Sequence, residues 1–164
     1  ASDVYKRQYA GSLLSKTVER WLRDKHPAIF SAVVERPIDL TTMDGMTDYG
    51  KPLAVVRALT IDEYRKHRSI LPLTSKPYWL ATGWTTNSSP YSNVHYAYYI
   101  GTDGTVYSDY VYNAIFAPRP AFNLKSSIVV SDSTDSDGCY TVESVPGNDG
   151  GLYVKNNGLW VRAV

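Results

Sequence analysis

The stretch HYAYYIGTDGTVYSDYVYNAIFAPRPAF, residues 95–122, carries six tyrosines between Tyr96 and Tyr112. At its centre stands Asp103-Gly104, a dipeptide that favours the left-handed backbone of a tight hairpin. Aromatic and β-branched residues flank it on both sides, which predicts strands near 94–101 and 105–112. With Asp103-Gly104 as a two-residue turn, position 100 faces 107 and position 98 faces 109. One sheet face then carries Tyr96, Tyr98, Ile100, Tyr107, Asp109 and Val111. The other carries His95, Ala97, Tyr99, Val106, Ser108, Tyr110 and Tyr112. Neither is cleanly apolar, whereas a hairpin built only to cover a core alternates strictly. The mixture points to a face turned toward a ligand; the rival reading is an ordinary half-buried sheet, since strands favour tyrosine in any case, and individual rings are expected to divide between the two. Tyrosine gives large contact area for two fixed torsions, and Ser and Asn add adaptable hydrogen bonds. The segment from Trp84 to Asn113 is rich in both kinds.

Upstream of this hairpin the chain reads as helix and loop. Leu14, Val18, Trp21 and Leu22 recur at i, i+4, i+7 and i+8, one buried helical face over 12–25, with Ser12 as cap and Pro27 beyond the end. Residues 28–34 read as a short second helix stopped by Pro37, and 39–52 as a loop. Pro52–Leu59 reads as one buried strand. Thr60-Ile61-Asp62-Glu63 is a capping box opening a helix over 61–69, with Leu59 and Tyr64 placed as a hydrophobic staple. Asp62 and Glu63 suit the first turn of that helix, and Arg65, Lys66, His67 and Arg68 suit the last. Tyr78–Ala81 predicts a strand, and 83–93 a long polar loop. Residues 118–120 read as extended, and 128–130 as a further strand. The polar run SDSTDSDG, 131–138, reads as a linker. It precedes three short strands at 139–145, 152–155 and 159–163 that form a small meander.

The 164 residues fit one main domain large enough to fold without metal or disulfide. A formal net charge of +1 lacks the basic excess expected of a nucleic-acid partner. No run of eighteen apolar residues suggests a membrane insertion. The lone Cys139 reads as a small buried side chain. Residues 1–8, ASDVYKRQ, resemble translated adapter read-through at the edge of a metagenomic gene fragment, so the natural start of the chain is expected to be lost. The usual catalytic motifs are missing: no G-x-S-x-G, P-loop, H-E-x-x-H or G-x-G-x-x-G. His26, His67 and His95 share no metal-ligand spacing. Asp135-x-Asp137-Gly138 matches part of a calcium loop, but Ser133 and Ser144 stand where its ends need carboxylates, so it reads as solvated linker. No catalytic residue, metal or cofactor is expected.

ALTIDEYRKHRSILP at 58–72, Tyr78-Trp79-Leu80, the hairpin AYYIGTDGTVYSDYVYN and PRPAFNLKSSIVVS at 118–131 together resemble the DUF6273 family of bacterial and phage domains. The likeness spans roughly residues 12–131. It departs at Ala81-Thr82-Gly83, where the family tends to Arg-Ser-Pro, and at Ala117-Pro118, where it tends to Gly-Val. The resemblance implies an α+β, C-type-lectin-like fold of the formylglycine-generating-enzyme-like form. Two helices pack on a twisted antiparallel sheet over 9–131, and a linker and short β extension follow over 132–164. It also implies a recognition protein, as in the variable proteins of diversity-generating retroelements. The paired cysteines of the formylglycine enzymes are missing, as are calcium-lectin triplets, so neither chemistry carries over. The residues that fit the retroelement palette are Asn87, Ser88, Tyr91, Asn93, His95, Tyr107, Ser108, Asp109, Tyr110, Tyr112 and Asn113. Trp84 joins them as an aromatic anchor, while Trp79 and Arg119 are expected to be scaffold. The closing GLYVKNNGLWVRAV resembles terminal strands of phage tail proteins. The expected role is receptor recognition by a phage or prophage tail-tip protein at the virion surface or outside the cell. Its partner would be a host cell-surface protein or glycan, and self-association is compatible. The rivals are a bacterial adhesin or sensor module of the same fold, an enzyme of formylglycine ancestry, and a structural capsid or tail domain.

Overall fold

The computed structural model describes residues 9–90, 94–126, 128–134, 136, 140–143, 153–156 and 159–162. It is a mixed α and β structure with antiparallel sheets. In chain order come α1 (Leu13–Lys25), α2 (Pro27–Ser31), β1 (Val33–Val34), β2 (Arg36–Pro37), β3 (Leu53–Ala54), β4 (Val56–Arg57) and α3 (Ile61–His67). There follow β5 (Tyr78–Gly83), β6 (Tyr96–Ile100), β7 (Val106–Tyr110), β8 (Ala121–Leu124), β9 (Val129–Thr134), β10 (Tyr140–Glu143), β11 (Tyr153–Asn156) and β12 (Leu159–Arg162).

Locally encoded features appear where the sequence places them. Ser12 caps α1, its hydroxyl accepting from the Ser15 amide at 3.2 Å. At α3 the capping box closes in both directions: Glu63 N–H donates to Thr60 Oγ1 at 3.2 Å, and Thr60 N–H to Glu63 Oε2 at 2.9 Å. Each such cap satisfies amides that the first turn otherwise leaves open. Glu63 also pairs with Arg57, whose side chain is only 10% exposed. The capping residue thereby ties α3 to β4.

Where tertiary packing decides, the structure differs from expectation. Val18 and Leu22 are buried, but Trp21 is 44% exposed and tilts against His26. The buried direction of α1 runs between Val18 and Leu22, which leaves Trp21 about 80° off it at 100° per residue. The second helix ends at Ser31, and Val33–Val34 pair with Leu124 and Asn123 of β8 instead of extending it. The strand expected over 52–59 divides. Its first part pairs with β2, then after Val55 the chain crosses to pair with β8. Residues 131–134, expected in a linker, continue β9 against β10. Among the described residues, the strands of the expected three-stranded meander pair otherwise: β10 with β9, and β11 with β12. Cys139, Asp135, Asp137, Gly138 and Ser144 lie outside the described residues.

Three apolar clusters hold the fold. Val18 and Leu22 of α1 pack on Val56, with Val33 and Phe122 beside them, over the sheet β1-β8-β4. Ile61 and Tyr64 of α3 pack on Tyr78, Leu80, Tyr98 and Ile100 of the sheet β5-β6-β7. Between them Tyr9, Ile38, Leu40, Ala58 and Ala81 form a joint. There the Ala58 amide donates to the Tyr9 hydroxyl at 2.7 Å, and the Ala81 amide to the Leu59 carbonyl at 2.8 Å.

The central hairpin has a different register from the two-residue reading. Ile100 pairs with Val106, Tyr99 with Tyr107, Tyr98 with Ser108, Ala97 with Asp109 and Tyr96 with Tyr110. The connection is a three-residue loop, 102–104. The Gly104 amide donates to the Gly101 carbonyl at 3.0 Å, the Gly101 amide donates to the Thr105 carbonyl at 2.9 Å, and Gly104 is left-handed at φ 76. That is a turn closed by a glycine bulge, the next commonest hairpin connection after the two-residue one. One residue of slip exchanges the faces of one strand relative to its partner. Tyr98, Ile100 and Val106 now share a face with Tyr78 and Leu80 against α3. Tyr99 and Tyr107 share the opposite face with Trp79. The register thus places Tyr96, Tyr98, Ile100, Val106, Ser108 and Tyr110 on the face turned to α3, its apolar part nearest the hairpin tip, and Ala97, Tyr99, Tyr107 and Asp109 on the opposite face.

Candidate functional site: aromatic runs at the hairpin

The six tyrosines divide between core and surface. Tyr98 is buried, Tyr96 and Tyr99 are half-buried, and Tyr107, Tyr110 and Tyr112 are exposed. They are joined into two runs of rings, each rooted in packed residues and ending in solvent. The first run begins at Tyr98, which stacks on Trp84 with centroids 5.5 Å apart and planes 7° from parallel. From Trp84 it passes to Tyr96 at 6.2 Å, then to Tyr110 at 4.2 Å and Tyr112 at 5.1 Å. The second begins at Trp79 and Phe116, 4.2 Å apart. Tyr99 meets Phe116 at 4.4 Å and Trp79 edge-on at 5.9 Å, and Tyr107 stacks on Tyr99 at 5.5 Å. Each such pair adds about 0.5–1.5 kcal/mol beyond area burial, so the outer rings are held in place before any ligand arrives.

The loop at the hairpin tip fixes Tyr107 further. Asp103 accepts from the Thr105 amide at 2.9 Å and from the Tyr107 hydroxyl at 3.1 Å. The Thr105 amide and hydroxyl, with a smaller share from Tyr107, hold the Asp103 carboxyl below the usual carboxylate range. A Cβ at Gly101 would lie 2.7 Å from Asp103 Oδ1 and 2.8 Å from Tyr107 Cε2, so the bare backbone lets both side chains approach it closely. Beneath the tip, the buried Tyr64 hydroxyl of α3 donates to the Gly104 carbonyl at 2.6 Å. On the other run, a hydrogen bond with Tyr110 is the main cause that pushes the Tyr96 phenol up to about 12. Burial pushes the Tyr98 and Tyr99 phenols up. These three rings therefore stay neutral at physiological pH.

The polar loop before β6 is anchored by a hydroxyl–carboxylate network that sequence reading did not find. Asp44 accepts from Thr42 at 2.6 Å, Thr85 at 2.5 Å and Ser89 at 3.2 Å. Asp48 accepts from Thr86 at 2.5 Å and Ser88 at 2.9 Å. Thr85 and Thr86 are fully buried. Desolvation raises the Asp44 pKa, but the hydroxyl donors outweigh it, and both carboxyls end below the ordinary range. Loop 42–48 thus clamps the start of loop 85–89. The pairing spans about forty residues of sequence, so no local pattern announces it.

The twelve expected site residues fall into four groups. Tyr107, Tyr110 and Tyr112 present rings to solvent, and Asn87 and Ser88 are exposed on the clamped loop. Trp84 does not project as an anchor; it packs against the α3 cluster and roots the first run. His95, Ser108, Asp109 and Asn113 are half-buried supports. The His95 carbonyl accepts from Val111 at 2.9 Å, and Asp109 accepts from the Tyr110 amide at 2.6 Å and Asn113 Nδ2 at 3.0 Å. Tyr91 and Asn93 lie outside the described residues. Arg119 lies over the Tyr78 ring at 4.7 Å and donates to the Pro72 carbonyl at 3.2 Å, a scaffold position.

No protein-family model, curated protein or solved structure matches the chain. Among the described residues, no group of three or more His, Cys, Asp or Glu side chains is placed to hold a metal ion. No helix of the described residues is long and apolar enough to cross a membrane.

Proposed function

We propose that the chain is a recognition module whose contact surface is the β7 edge of the sheet, where the two aromatic runs, one on each face of the hairpin, reach solvent. On this reading it is a DUF6273-type, C-type-lectin-like domain of a phage or prophage tail-tip protein. It adsorbs to a host cell-surface protein or glycan, without catalysis. The observation that carries the reading is the trio Tyr107, Tyr110 and Tyr112, exposed yet each in contact with another ring: Tyr107 stacked on Tyr99, Tyr110 tilted against Tyr96, and Tyr112 stacked on Tyr110. Phenols held in that way give apolar area and a hydrogen-bonding edge at small entropic cost. The aspartates nearby act as acceptors that position neighbours: Asp103 for Tyr107, and Asp44 and Asp48 for the adjoining loop.

Retroelement diversification belongs to the same reading. The positions that fit its palette are exposed or half-buried wherever they are described; Trp79 and Arg119 are half-buried too, Trp79 packed on Phe116 and Arg119 over the Tyr78 ring. Sequencing related chains from one source tests it. Substitutions concentrated at the palette positions, with Trp79 and Arg119 constant, support diversification; an even scatter removes it. Recognition itself is tested by cell-surface and glycan binding of Tyr107→Ala and Tyr110→Ala. Each is expected to cost about 2 kcal/mol of binding, the scale of a hot-spot ring. Unchanged binding by both would place the contact surface elsewhere.

A further inference from the structure

Behind the second aromatic run lies a cleft of about 480 Å³, open between the first turns of α1 and the outer face of the β5-β6-β7 sheet. Trp79, Phe116, Leu14 and Ala97 contribute its apolar lining. Its polar lining is neutral, with the Ser12, Thr17 and Tyr112 hydroxyls and the Asn113 amide. None of the described residues that line it carries a formal charge. Leu13 projects into this region 69% exposed, and Tyr112 stands 67% exposed on the opposite side. Large apolar groups left open to water around one concavity mark a surface built to be covered.

We propose that this cleft is a binding site for an uncharged small molecule with a planar apolar ring system and a polar edge. It goes beyond the phenol surface proposed above, sharing Tyr112 with it, and it lies against Trp79 and Phe116, from which the second run starts. The volume lies within the range of pockets that enclose a drug-sized ligand. Trp79 and Phe116 line it with aromatic rings, which suit contact with a planar apolar ligand. The neutral lining selects against ions, because a charged group entering there loses hydration and gains no counter-charge. The Thr17 and Tyr112 hydroxyls can supply hydrogen bonds to a polar edge without that penalty.

The test uses two fluorescent probes with the same rings, neutral N-phenyl-1-naphthylamine and its anionic 8-sulfonate. The neutral probe is expected to bind saturably, one per chain, and at least tenfold more tightly than the sulfonate. Thr17→Trp fills the cleft from the helix surface and is expected to weaken the neutral probe at least tenfold. Leu13→Lys changes an already exposed position. It is expected to weaken the neutral probe and strengthen the sulfonate, which narrows the ratio between them. Should Thr17→Trp fail to fold, Leu13→Lys decides alone. Leu73→Ala, an exposed leucine outside the cleft, is expected to change neither affinity. Absence of saturable binding, indifference of the folded cleft variants, or equal weakening by Leu73→Ala each overturns the proposal.

Discussion

The hydrogen bond from Tyr64 to the Gly104 carbonyl joins α3 to the hairpin tip, and its removal tests how the aromatic surface is held. Tyr64 is 3% exposed and Gly104 is buried, so neither atom has ready access to bulk water. Tyr64→Phe keeps the ring and its packing against Tyr78, Leu80 and Ile100 but leaves the carbonyl without that donor. An unsatisfied buried acceptor costs about 1–3 kcal/mol. For a chain of this size about 2 kcal/mol lowers Tm by roughly 4–8 °C. Gly104→Ala attacks the same junction from the other side. Its Cβ would meet Leu73 Cδ2 at 3.0 Å and the Tyr64 hydroxyl at 3.4 Å, on a backbone at φ 76 that disfavours side chains. That substitution is expected to cost about 1–3 kcal/mol. Because the two residues touch, the double variant should lose less than the sum of the singles. Thermal melts followed by circular dichroism, with all four proteins in one buffer, measure the cycle. Tyr64→Phe melting within about 0.5 kcal/mol of the parent, with strictly additive losses, would refute the reasoning. The tip would then be held by its own turn alone, and the rigidity of Tyr107 would need another source.

Three further outcomes follow from particular groups. Glu63→Gln keeps an acceptor for the Thr60 amide but leaves the guanidinium of Arg57 buried without its counter-charge; a loss of about 3 kcal/mol in chemical denaturation is expected, and Arg57→Met should recover part of it. Asp39 is lowered from 3.8 to about 2, chiefly by its hydrogen bond with Lys51, and Asp44, Asp48 and Asp103 are lowered as well. Their stabilisation is therefore complete above about pH 4 and is lost as pH falls through the lowered folded values, which for Asp39 is about 2, so melts between pH 5 and pH 2 should steepen below pH 4. Asp44→Ala, which strips the acceptor from buried Thr85, should cost about 1–3 kcal/mol at pH 7 and flatten that acid limb. Tyr9 and Tyr96 are both raised from 10.0 to about 12, so the folded chain should lose stability as pH rises from 10 through 12; in ultraviolet titration, Tyr110→Phe should bring Tyr96 back down while leaving Tyr9, which burial raises, in place.

What the sequence determined by itself were the features closed within a few residues. The Ser12 cap, the Thr60–Glu63 box, the mixed helix and strand composition and a hairpin centred on Asp103-Gly104 all depend on neighbours within one turn. The candidate surface was legible to the same extent, since Tyr107, Tyr110 and Tyr112 were named from residue type and reach solvent. The register was not legible. Two-residue and three-residue loops use the same Asp-Gly signal, and what distinguishes them is burial: the pairing that places Tyr98, Ile100 and Val106 together is the one that covers α3. Only the tertiary structure could decide that Trp84 is a root, that Trp21 faces water, and that Asp44 and Asp48 hold a loop some forty residues away. The cleft beside α1 belongs there too, because it exists only where Leu13 and Leu14 come to lie opposite Trp79 and Phe116, residues far apart in the chain. Local chemistry specifies which groups are offered; the free energy of covering apolar surface decides which of them face inward.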